Sequence, residues 1–143
     1  MHDKWEGKYA AGLPTRDNQD CVIGQNPQYG LTVSKPGNGY LVLRMKEKEN
    51  SYKAKLKGYF FVQSYDGVPL KSNGDMRKAL QVASHGPSPY AQLPEPITFP
   101  KNLKYPYTFT CLVANMEAGA AGEGGFSLQI YTKDPTMEVN KLN

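Results

Sequence analysis

Thiol catalysis needs a sulfur that an imidazole can deprotonate within hydrogen-bond reach, and a further group to orient that imidazole. The chain has two cysteines, Cys21 and Cys111, and His85 is the imidazole to weigh against them. Cys111 falls in a run where Tyr107, Phe109, Cys111 and Val113 alternate with Thr108 and Thr110, which predicts a buried structural thiol. Cys21 lacks a Gly-rich helix opening behind it to lower its pKa. His85, within Ser84-His85-Gly86-Pro87, reads as a turn residue, so no catalytic residue is assigned.

Oxygen donors are present but poorly spaced for a metal. Asp17-Asn18-Gln19-Asp20 forms one polar cluster, and Asp66 and Asp75 lie in other loops. Calcium takes six or more oxygens, and these positions match no EF-hand spacing, so no cofactor or metal site is expected. The Gly-rich stretch 118–125 is no phosphate loop either, because Phe126-Ser127 follow where a Walker loop needs Lys and then Ser or Thr.

Charge is concentrated in one place. Arg44, Lys46, Lys48, Lys53, Lys55 and Lys57 are interrupted only by the acidic Glu47 and Glu49, so this stretch accounts for the formal net charge of +4. Such a patch attracts anionic lipid headgroups or acidic protein surfaces, and a Lys-defended strand edge has the same pattern. Nucleic-acid binding is not expected, because the neighbouring aromatics Tyr52, Tyr59 and Tyr65 are drawn into a core.

Positioning these groups falls to strands. The 143 residues suit one domain with one core. Tyr29, Leu31 and Val33 alternate, Lys35-Pro36-Gly37-Asn38-Gly39 supplies a reversal, and Leu41, Leu43 and Met45 alternate again, predicting a β-hairpin. Residues 59–65 predict a central strand ending at the turn dipeptide Asp66-Gly67. The runs 107–113 and 126–130 predict half-buried antiparallel strands. Residues 75–82 fit a short helix or a strand. Six prolines between Pro87 and Pro106 predict an extended connection anchored by Ile97 and Phe99. The expected fold is all-β: an antiparallel β-sandwich of about eight strands over residues 1–133, followed by a polar tail, 134–143, that frays. No apolar run approaches the ~20 residues of a membrane span, the amino terminus lacks a signal-peptide core, and two cysteines make no disulfide framework.

Specific residues add a family. Trp5-Glu6-Gly7, then Ala10-Ala11-Gly12, then Asn26-Pro27-Gln28-Tyr29, together with Gly125-Phe126-Ser127-Leu128-Gln129-Ile130-Tyr131 near the carboxyl end, resemble the β-sandwich domain of calpain-type cysteine proteases, the large-subunit domain III. In structural terms Trp5 would cover one end of the core, Gly7 and Gly12 would allow close backbone approach, and Asn26 would cap a turn before Pro27 and Tyr29 enter the sheet. The chain departs from the family where Leu13 replaces a cysteine after Gly12 and where a basic stretch stands in place of an acidic loop. The resemblance implies a non-catalytic regulatory or docking domain of a calpain-like, calcium-dependent cysteine endopeptidase, of unconventional or protozoan type. Its expected partners are the protease core of the parent chain and acidic membrane phospholipid or a protein, in the cytoplasm or peripherally at membranes. The alternative is a stand-alone calpain-related adaptor or cytoskeletal interaction protein without protease activity.

Overall fold

The computed structural model describes residues 2–14, 16, 18–45, 58–88, 95–115 and 124–143. Among these residues nine strands and one short α-helix follow in order: β1 (His2–Trp5), β2 (Gln28–Val33), β3 (Gly37–Met45), β4 (Gly58–Ser64), α1 (Asn73–Lys78), β5 (Leu80–Ser88), β6 (Glu95–Phe99), β7 (Tyr107–Asn115), β8 (Gly124–Thr132) and β9 (Glu138–Lys141). They form two antiparallel sheets, one ordered β1-β8-β3-β6 and the other β5-β4-β7-β2-β9. The chain is an all-β antiparallel sandwich.

Side chains at every second position make the shared core. Tyr29, Leu31 and Val33 from β2, Leu41 and Leu43 from β3, Phe60 and Val62 from β4, and Phe109, Cys111 and Val113 from β7 meet Phe126 and Leu128 of β8. Ile97 and Phe99 are buried as the expected anchors, and Phe99 stacks on Phe109 with centroids 5.1 Å apart.

Local pattern misplaced some neighbours. The expected hairpin between β2 and β3 does not form: β2 pairs with β7 and β9, while β3 pairs with β6 and β8 in the other sheet. The turn therefore arches between layers, because the same alternation suits either connection and only the distant partners decide it. β7 is buried on both faces rather than half-buried. Its outer residues Leu112 and Ala114 pack with Ile23 and Leu70 in a second cluster, so the loops before β2 and after β4 cover that face.

The ambiguous segment 75–82 divides into two elements. Ser72 caps α1 in a reciprocal box with Asp75, and β5 starts at the exposed Leu80. The proline-rich stretch is not wholly unpaired, since Pro87 lies in β5 and Pro96 in β6. Both are edge strands, where a missing N–H costs no ladder bond inside the sheet. The tail expected to fray instead supplies β9, with Tyr29 opposite Lys141 and Leu31 opposite Val139. Backbone pairing with the edge of β2 orders residues too polar for a core.

Candidate functional site

The motif residues at the amino end serve the architecture. Trp5 is buried, its ring lies 4.5 Å from that of Phe126, and its indole Nε1 donates to the Val113 carbonyl at 3.1 Å. It fastens β1 and β8 to the central strand of the opposite sheet. Gly7 and Gly12 have φ of +55° and +73°, a left-handed region that L side chains avoid. Close approach is not the reason at Gly7, where an added Cβ would meet nothing within 4 Å.

Asn26 does cap its loop, donating from Nδ2 to the Gly12 carbonyl at 2.9 Å and the Ile23 carbonyl at 3.0 Å. Pro27 offers its carbonyl to the Val113 N–H at 2.9 Å, which leads the chain into β2. Gln28 is fully buried: its Nε2 donates to the carbonyls of Gly24 and Leu70, and its Oε1 accepts the Leu70 N–H at 2.7 Å. Tyr29 donates its hydroxyl to Asp3, which also receives Lys141 Nζ. Burial works to raise the Asp3 carboxyl, but the bonds from Lys141 and Tyr29 hold it below the usual carboxylate value. Burial and the Asp3 bond push the Tyr29 hydroxyl up, so it stays a proton donor.

Neither thiol is placed for catalysis. Cys111 is fully buried in β7 and burial pushes it up to about 12. β4 separates β7 from β5, the strand carrying His85, so those two backbones lie about 10 Å apart. Cys21 donates to the carbonyls of Ala11 and Gly12, and burial raises its pKa too. A thiol held protonated is neither a nucleophile nor a metal ligand. Among the described residues no three His, Cys, Asp or Glu side chains converge on a metal position. Asn18 is bonded to the carbonyls of Ala11 and Leu13, Asp75 caps α1, and Asp66 sits in a turn with φ of +54°.

Of the basic patch, Arg44 is described and exposed; Lys46, Lys48, Lys53, Lys55 and Lys57 lie outside the described residues. Register then adds two side chains that sequence reasoning missed. Arg44 is opposite Ser127, and Ser127 is opposite His2, so the three form a row across the outer face of the four-stranded sheet. Lys4, two residues beyond His2 on the same face, is exposed and lies 2.8 Å from the carboxylate of the exposed Glu6. An open groove of about 550 Å³ runs beside them, lined by His2, Asp3, Lys4, Trp5, Glu6, Gly124 and Gly125, so it carries acidic as well as basic side chains. The missing signal was β1 itself: four residues with a mostly polar pattern carry too little periodicity to announce a strand.

These features define a class: an antiparallel β-sandwich whose distinctive side chains, among the described residues, hold layers together and which sets Arg44, His2 and Lys4 on one outer face. Comparison with known proteins finds no matching family model and no matching curated protein, so the calpain-type resemblance rests on its motif residues alone. No helix among the described residues is long and apolar enough to cross a membrane.

Proposed function

We propose that this chain is a non-catalytic docking module that meets acidic phospholipid headgroups through the outer face of its four-stranded sheet. The observation that carries this reading is the cross-strand row of Arg44 and His2 with Lys4 beside them, at the end of β3 from which the Lys-rich stretch departs. Arg44 and Lys4 are the cations of this face, and charges collected on one face attract an anionic surface better than the same charges scattered. The calpain-type motifs support a regulatory place beside a cysteine-protease core in the cytoplasm, with the sandwich contributing position rather than chemistry. The buried, protonated thiols support the absence of hydrolysis by this unit.

Sedimentation with phosphatidylserine-containing vesicles tests the reading. Binding should weaken steadily as salt rises, because exposed charges are screened over about 8–10 Å near physiological ionic strength. Combining Arg44→Glu and Lys4→Glu with Lys53→Glu, Lys55→Glu and Lys57→Glu should abolish it, at about 1 kcal/mol lost for each basic residue near the surface. Binding that ignores both salt and these substitutions would remove the proposal.

A further inference from the structure

β8 is unevenly flanked. On one side β3 covers it from Phe126 to Thr132, while on the other β1 pairs with it only from Gly124 to Ser127. Among the described residues no strand pairs with 129–132 on that second side. An antiparallel strand directs N–H and C=O groups toward each flank, so this stretch offers backbone donors and acceptors to an open edge. Beside it lies a groove of about 600 Å³ lined by the apolar Leu128, Ile130, Met137 and Val139 together with Gln129, Tyr131, Thr132 and Asp134, whose carboxylate is already taken up by Ser34 and Thr136. Leu128 belongs to the core, and Ile130, Met137 and Val139 pack partly buried against it, so the groove opens the sandwich interior at the edge of both sheets.

We propose that residues 129–132 of β8 take up an extended segment of a partner protein by strand addition, antiparallel to β8 and in line with β1. β1 already occupies the same edge in that direction, so the added segment continues an existing pairing. Edge hydrogen bonds select an extended backbone, and the apolar lining selects apolar side chains at every second position. Direction fixes a charge preference as well. Trp5 lies opposite Gly124 and His2 opposite Ser127, so the segment's amino end reaches the exposed Lys133, which favours an acidic residue there. This edge is distinct from the basic outer face, and the inference stands whether or not that face binds lipid.

The test fuses a segment of five residues, aspartate followed by alternating valine and threonine, directly ahead of Met1 in the full chain, so that continuing the β1–β8 register sets the aspartate opposite Lys133 and tethering supplies a high effective concentration. Hydrogen exchange at those amides of 129–132 that point away from β3 should slow relative to the unfused chain, and a proline-interrupted segment should leave it unchanged. In the fused chain Lys133→Glu should weaken docking of the aspartate-led segment by about two- to five-fold, the range of an exposed ion pair, and favour a lysine-led one. Lys133 is exposed, so this variant leaves the fold intact. Unchanged exchange with the fused segment overturns the proposal. So does an unfused chain that dimerises and protects the same amides, because the occupant would then be a second copy.

Discussion

The side-chain amide of Gln28 stands in for a peptide group: it accepts the Leu70 N–H and returns a bond to the Leu70 carbonyl, as a neighbouring strand would. That pairing holds the loop after β4 against the outer face of the five-stranded sheet, where Leu70 is buried. Gln28→Ala leaves both Leu70 groups buried without this partner, so it should destabilise the fold by about 2–5 kcal/mol in urea unfolding, whereas the exposed control Gln19→Ala should change little. Asp134 is a second such residue. Its carboxylate accepts bonds from the backbone and hydroxyl of both Ser34 and Thr136, which hold its pKa far below the usual carboxylate range. The folded state therefore binds its proton less readily than the unfolded chain. Its contribution is present above about pH 4, the unfolded value, and fades as pH falls toward the folded one. Asp134→Asn should lower stability at pH 7 and flatten the acid limb of a stability-against-pH curve. An unchanged limb would assign that limb to other carboxylates, Asp3 among them.

At the scale of elements, β9 shows how pairing overrides composition. Its residues are mostly exposed and charged, yet Leu142 N–H donates to the Gln28 carbonyl at 2.9 Å. The Asn143 side chain adds bonds to the Gln28 N–H and the Asn26 carbonyl, at 2.9 and 2.8 Å. Removing residues 138–143 would bare the edge of β2, a six-residue strand that is nearly all buried. The truncated chain should melt at least about 5 °C lower and scatter light at concentrations where the intact chain does not. Several other elements were legible beforehand: β2, β3, β4, β7 and β8 each carry an alternating or continuous apolar run, and the Asp66-Gly67 turn has both φ values positive. β1, β6 and β9 were not, because these short edge strands bury at most two side chains each, β9 none fully, and leave a weak period.

Across the whole molecule the two sheets are tied through one shared core, with Trp5 joining it from β1. Trp5 is the sole tryptophan, it is buried, and it bonds across the layers to β7. Its fluorescence should shift to the red in one step coincident with the loss of β-sheet circular dichroism, since the indole cannot be exposed while the sandwich is closed. Trp5→Ala should cost about 3–5 kcal/mol; a fluorescence transition well ahead of the dichroism change would mean that β1 detaches separately. Alternation and turn chemistry, being local, determined by themselves that the chain is all-β, where β2, β3, β4, β7 and β8 lie and that Cys111 is a buried thiol. Which strands are neighbours, which layer each joins and which cations share a face were decided only in the tertiary structure. Period-two patterning says that a side chain points inward or outward, and it is silent about the distant strand that lies alongside. That silence hid His2 and Lys4 beside Arg44 and the open edge of β8 beyond Ser127, because both exist only through register between segments more than eighty residues apart in the chain.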